Sequence, residues 1–179
     1  MNLLVSFSPF AVFAVLLHVG YPQAGMWAGA AAACLLILRD RLILGRSLKI
    51  LELGTMLLFG ALALYTAATG TVWTIPAVRL VVDGGLLAIV LASLAIGQPF
   101  TLQYARESVP AERWQSAGFM ETNRRITLVW AAAFAVLVAA DAAMIYLPQI
   151  PQRLDIVATV LALVWAYKYT MRASREPRP

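Results

Sequence analysis

The stretch "IPAVRLVVDGGLLAIVLASLAI", residues 75–96, decides the fold of this chain. Arg79 and Asp83 are its only charged residues, and it is longer than the roughly 20 residues that cross the hydrocarbon core as a helix. Because unsatisfied backbone groups are costly in lipid, such a stretch is expected to be helical. The whole chain of 179 residues has a similar character, with 61% hydrophobic and only 13% charged residues. The sequence therefore predicts an integral membrane protein.

Six apolar stretches of near-spanning length lie along the chain. They run from Leu3 to Val19, Gly25 to Leu38, Leu51 to Ala68, Ile75 to Ile96, Ile126 to Tyr146 and Ile156 to Tyr169. The first stretch has no basic n-region and no clear cleavage site, so it is interpreted as a span and not as a signal peptide. The pattern predicts an all-α, polytopic protein in which residues 1–179 form a single bundle of six transmembrane helices.

The basic residues are distributed unequally between the two sides of these stretches. Twelve lie on one side: Arg39, Arg41, Arg46, Lys49, Arg106, Arg113, Arg124, Arg125, Lys168, Arg172, Arg175 and Arg178. Only Arg79 and Arg153 remain for the other side. By the positive-inside rule, both termini and the loop 98–125 are expected in the cytoplasm. The net charge of +5 is thus explained by topology, and no nucleic-acid partner is expected.

The polar segment 98–125 is the largest predicted cytoplasmic feature. Pro99 is expected to end the fourth helix and Pro110 to suit the first turn of a new helix. An interfacial amphipathic helix and a solvated loop with a Trp anchor are both compatible with the pattern. Aromatic residues and arginines are frequent in binding hot spots. The candidates for contact with a partner or with the membrane surface are Phe100, Tyr104, Arg106, Arg113, Trp114, Arg124 and Arg125.

A few ionisable residues fall inside the spans, where each is costly. Arg79 and Asp83 are one helical turn apart, and Asp141 is expected at a similar depth, with His18 at the rim. Such a cluster fits either a proton relay or substrate site, or an ion pair that sets helix register. The structural alternative is preferred because only Glu52 hints at a polar path to the cytoplasm, and Lys49 is its simpler partner.

Chemistry that needs a cofactor finds little support in the sequence. One histidine and one cysteine are too few for a typical membrane haem or a zinc site. Phosphate-binding and nucleophile motifs are not found, so the chain is predicted to be non-enzymatic and to hold no cofactor. Small residues recur at helical spacing, as in Gly25 and Gly29, and fit either a homodimer interface or packing within the monomer.

Several motifs together resemble the intracellular septation protein A family of bacterial inner-membrane proteins. They are "FSPFAVFAVLLH" near the start, "QPFTLQYARE" after the fourth stretch and "TNRRITLVWAAAFAVLVAADAAMIYLP" in the fifth. The family features map onto Trp114, Asn123, Trp130 and Phe134. The resemblance covers nearly the whole chain, whereas the "PFTLQYARE" segment is more polar than in the family and Asn123 lies farther from Trp130.

The resemblance implies a multi-pass protein of the bacterial inner membrane. It implies a non-enzymatic role in cell-envelope synthesis, shape or septation, through contacts with the bilayer and with membrane proteins of the envelope or division machinery. The alternative, which rests on the residues themselves, is a small transporter or channel that uses Arg79, Asp83 and Asp141.

Overall fold

The computed structural model describes residues 3–147, 149 and 151–174, with the side chain of Gln152 excepted. These residues form helices and turns and no strand. The helices are α1 (Leu3–Ser6), α2 (Ser8–His18), α3 (Pro22–Leu38), α4 (Ile50–Thr69), α5 (Ile75–Ala95), α6 (Phe100–Arg106), α7 (Ala117–Tyr146) and α8 (Gln152–Ala173). The all-α prediction is therefore confirmed for the described part of the chain. Arg175 and Arg178 lie outside it.

Four helices of the described chain are long and apolar enough to cross a membrane. They are α4, α5, α7 and residues Arg153–Ala173 of α8. The predicted stretches 51–68 and 75–96 differ from α4 and α5 by one residue at the ends. The chain is thus membrane-embedded, and the two N-terminal stretches are the ones whose length falls short.

The first predicted span is divided into two helices. α1 ends at Ser6 and α2 begins at Ser8, with Phe7 in a turn between them. Pro9 occupies the first turn of α2, and because proline has no amide hydrogen it cannot extend the α1 hydrogen-bond ladder. α3 has 17 residues, which at 1.5 Å per residue gives a length of about 25 Å.

The contacts of the described residues fall into two compact units, residues 3–78 and the described residues from Arg79 onward. The division lies within α5. In the first unit, α3 packs against both α2 and α4. An added Cβ on Gly25 would lie 3.1 Å from the Phe13 ring, and one on Gly29 would lie 2.9 Å from the Phe59 ring. This glycine pair therefore serves packing within the first unit.

In the second unit, α7 packs against α6 and α8. The Thr101 hydroxyl contacts the Asn123 carbonyl and the Thr127 hydroxyl, each at 2.9 Å, and joins α6 to α7. Trp130 Nε1 donates to Thr170 Oγ1 at 3.0 Å and joins α7 to α8. Polar side chains thus fix the helix contacts of this unit, as expected where apolar burial alone gives no preference in lipid.

The predicted loop 98–125 is largely structured. Gly97, in the turn after α5, has a φ of 69°. This left-handed conformation suits glycine and redirects the chain after the helix. The Ser93 hydroxyl accepts a hydrogen bond from the Phe100 amide at 3.1 Å and thereby fixes the start of α6. Pro110 precedes only a 3-10 turn, Ala111–Arg113, and not the new helix expected there.

The helix that continues into the fifth stretch begins later, at Ala117. Ser116 caps it, because its hydroxyl accepts from the Phe119 amide at 3.3 Å. α7 then runs for 30 residues to Tyr146. The last residues of segment 98–125 are thus helical and continuous with the fifth apolar stretch.

Candidate functional site

Arg79 is held by a carboxylate that lies on another helix of the second unit. Its Nη1 donates to Asp155 Oδ2 at 2.6 Å and its Nη2 to Asp155 Oδ1 at 3.2 Å. Asp155 is in the first turn of α8 and is 3% exposed. Two parallel hydrogen bonds between a guanidinium and a carboxylate are the strong form of this pair. The pair therefore ties α5 to α8.

Asp141, on α7, is the second acid beside the same guanidinium. Its Oδ1 lies 3.0 Å from Arg79 Nη2, and the residue is 0% exposed. The approach is that of an ion pair without directional hydrogen bonding, because no N–H or O–H donor among the described residues bonds to either Asp141 oxygen. A buried carboxylate without hydrogen bonds is costly, since nothing replaces the water that it loses.

Asp83 is the third acid and lies one turn after Arg79 on α5. Its carboxyl group is half-buried, Arg79 attracts it, and its charge and that of Asp141 act on one another. We call the four residues Arg79, Asp83, Asp141 and Asp155 the carboxylate cluster. It brings three carboxyl groups to one guanidinium, so it carries an excess of negative charge when all are ionised.

The sequence predicted three members of this cluster correctly. Helical spacing places Asp83 beside Arg79, and the depth argument placed Asp141 near them. Asp155 was missed because it precedes the apolar stretch 156–169, where an acid is typical of the membrane interface. A signal was present: Asp141 and Asp155 lie at comparable distances before and after the short connection between α7 and α8, which pack as neighbours.

His18, predicted at the rim of the cluster, belongs to the first unit. It ends α2 in the first unit, where its side chain is exposed. The carboxylate cluster consists of residues of the second unit.

A second buried charged group lies in the first unit, and we call its members Ser6, Arg39, Asp40, Lys49 and Glu52 the balanced cluster. Lys49 Nζ contacts Asp40 Oδ2 and lies 3.5 Å from Glu52 Oε1. Ser6 Oγ donates to Glu52 Oε1 at 2.9 Å, and Arg39 Nη2 donates to Asp40 Oδ1 at 2.7 Å. The predicted pairing of Lys49 with Glu52 is confirmed.

The balanced cluster has as many acids as bases. Asp40, Lys49 and Glu52 are each 1% exposed. Burial acts to raise the pKa of Asp40, but hydrogen bonds from Lys49 and Arg39 outweigh it and hold that pKa below its usual range. Ions buried with partners in this way join the ends of α3 and α4 to α1, which is a structural role.

Two predicted contact residues of segment 98–125 are not available to a partner. Phe100 and Tyr104 are both 0% exposed and pack edge to face with ring centroids 6.4 Å apart. Their assignment to a docking surface was wrong, because α6 packs on α7 and faces these rings inward. The sequence of this short polar segment does not indicate that α6 packs on α7.

The other contact candidates lie nearer the surface. The Arg106 guanidinium lies 5.4 Å from the centre of the Trp114 ring, and Trp114 Nε1 donates to the Val109 carbonyl at 2.9 Å. Arg113, Arg124 and Arg125 are exposed, and Arg125 pairs with Glu121 at 2.7 Å. Trp114, the aromatic anchor of this region, thus makes part of its contacts within the chain, with Arg106 and Val109.

No arrangement of three or more His, Cys, Asp or Glu residues suited to a metal ion occurs in the described chain. Comparisons with protein-family models, with curated proteins and with solved structures find no match to this chain. The resemblance to the septation protein A family therefore stays a prediction, and the function is argued from the two clusters.

Proposed function

We propose that this chain is a small transporter or channel that moves a cation across the membrane by way of the carboxylate cluster. The observation that carries the proposal is Asp141: it is 0% exposed, no N–H or O–H donor of the described chain bonds to its oxygens, and it lies on a helix able to span a membrane. Ionisable residues in spanning helices commonly mark ion pathways and proton relays.

The count of charges favours this function over a purely structural ion pair. Arg79 already forms the two-hydrogen-bond pair with Asp155. A structural pair needs one carboxylate, so Asp83 and Asp141 are in excess. Each excess carboxylate costs free energy in an apolar environment. Attraction of a cation offsets that cost.

We further propose six membrane crossings, with α1 and α2 together and α3 forming the first two, and both termini in the cytoplasm of a bacterium. The support is the placement of twelve basic residues on one side of the stretches and two on the other. In this orientation, the carboxylate cluster lies in the outer half of the inner membrane and segment 98–125 lies in the cytoplasm.

The test is ion flux with the purified full chain in lipid vesicles. We expect entry of protons, sodium or potassium above the rate of empty vesicles, and loss of that entry in Asp141→Asn. Glu121→Gln is the matched control, since Glu121 is a surface partner of Arg125, and it should retain the flux. If the unaltered chain passes none of these cations, transport is ruled out.

A second function is supported by the exposed arginines of segment 98–125. Arg113 and Arg124 are exposed, and exposed arginines favour contacts with protein partners and anionic lipids. We propose as the alternative that the chain supports envelope synthesis, shape or septation through membrane-protein contacts. Cells that carry only an Arg113→Glu, Arg124→Glu protein should then divide abnormally, with normal amounts of the protein in the membrane. Normal cell length would count against this role.

A further inference from the structure

We propose that the cation is the proton and that Asp83 and Asp141 share it. This inference rests on the proposed function and names the ion that the site takes. Asp141 Oδ1 lies 3.0 Å from Arg79 Nη2, and Asp83 lies one turn from Arg79 on the same face of α5. The two carboxyl groups therefore lie beside one guanidinium, and neighbouring like charges are costly to keep ionised together. One bound proton removes that repulsion, because the protonated carboxyl then donates a hydrogen bond to the ionised one.

The oxygen atoms that remain in the cluster are too few for a metal cation. Hard cations such as Ca²⁺ take roughly six to eight oxygen ligands. Both Asp155 oxygens are engaged by Arg79, whose Nη2 also lies 3.0 Å from Asp141 Oδ1. The guanidinium thus lies against carboxylate oxygens that a metal ion would need, and its charge repels one. A proton needs only one oxygen from each of two carboxyl groups.

Arg79 and Asp155 then have a positioning role. When the proton binds, it forms an O–H bond on Asp141 or Asp83, and the attraction between Arg79 and that pair weakens. The two hydrogen bonds to Asp155 keep the guanidinium in place. When the proton leaves, Asp83 and Asp141 are both ionised again and Arg79 offsets their charge. The Asp83–Asp141 pair therefore gains and loses a proton while the Arg79 guanidinium stays beside it.

The charged groups that act on Asp141 come from the two other helices of the cluster. They are Arg79 and Asp83 of α5 and Asp155 of α8. Protonation should therefore depend on all three. Asp155→Asn should release Arg79 toward Asp141 and Asp83 and thereby oppose proton binding.

Infrared difference spectra of the full chain in phosphatidylcholine vesicles, recorded between acid and alkaline pH, test proton binding without reference to transport. We expect the carbonyl band of a buried protonated carboxylic acid, which deuterium oxide shifts. It should be absent in Asp83→Asn and in Asp141→Asn, and present in Glu121→Gln. Asp83 is half-buried, so its variant keeps the test valid if Asp141→Asn does not fold. A band that both variants retain overturns the proposal.

Flux measurements separate this inference from the proposed function. A pH-sensitive dye inside the vesicles reports protons, and separate sodium and potassium indicators report the metal ions. Proton entry alone supports both proposals. Sodium or potassium entry without proton entry leaves transport intact and overturns the proton inference. If no ion enters but the band behaves as expected, the proton site stands and transport fails.

Discussion

The two units of the chain each bury a charged cluster, and they differ in charge balance. In the first unit, Asp40 and Glu52 face Lys49 and Arg39, so that every buried acid has a base. In the second unit, Asp83, Asp141 and Asp155 share Arg79. Paired charges hold helices in register, whereas an excess of one sign requires a further ion. The carboxylate cluster, with its excess of acids, is therefore the better candidate for a functional site, and the balanced cluster is structural.

Removal of one acid from each cluster tests most directly whether the two clusters differ in their contribution to stability. Asp40→Asn leaves Lys49 buried with less compensation, and loss of one partner of a buried pair costs about 3–5 kcal/mol of unfolding free energy. Asp141→Asn removes an excess charge while Arg79 keeps Asp155, so stability should stay unchanged or rise. Denaturation of each purified variant in detergent measures both effects.

Equal destabilisation by the two Asn variants would mean that Asp141 is as structural as Asp40. In that case the excess of carboxylates in the second unit would no longer support the proposed function. Lys168→Met, at an exposed position, gives the baseline for a charge change that touches neither cluster.

The packing around glycine differs between the two units as well, and glycine-to-alanine substitutions measure that difference. A Cβ on Gly29 would lie 2.9 Å from the ring of Phe59, which is 0% exposed. Gly29→Ala should therefore destabilise the chain by about 1–3 kcal/mol through overpacking. The matched change, Gly84→Ala in the second unit, meets no atom within 4 Å and should raise stability by up to about 1 kcal/mol through helix propensity.

Thermal denaturation in detergent measures both glycine variants. A loss of stability in Gly84→Ala that grows with protein concentration would indicate that its helix face contacts a second copy, which is the homodimer that the small-residue pattern left open. A neutral Gly29→Ala would contradict the close contact with Phe59.

Sequence patterns predicted those parts of the fold that apolar length determines. α4 and α5 follow directly from uninterrupted apolar stretches, and Arg79 meets Asp141 because residues at similar depth in neighbouring helices can pair. Burial of Phe100 and Tyr104 was not predictable, since it depends on how α6 packs on α7 and not on local composition. Asp155 was missed for a related reason, because its position at a helix start is typical of interfacial acids.

The smallest expected effect concerns pH and again separates paired from excess acids. Hydrogen bonds from Lys49 and Arg39 outweigh burial and lower the pKa of Asp40 in the folded chain. A lowered folded-state pKa means that the stabilisation is complete above the ordinary Asp range and is lost as the pH falls through that range to the folded value. The stability difference between the unaltered chain and Asp40→Asn should therefore be constant near neutrality and shrink in acid. Unfolding midpoints of both proteins, measured over that range, check this, and a difference that does not change with pH would show that Asp40 stays charged or contributes nothing through its charge.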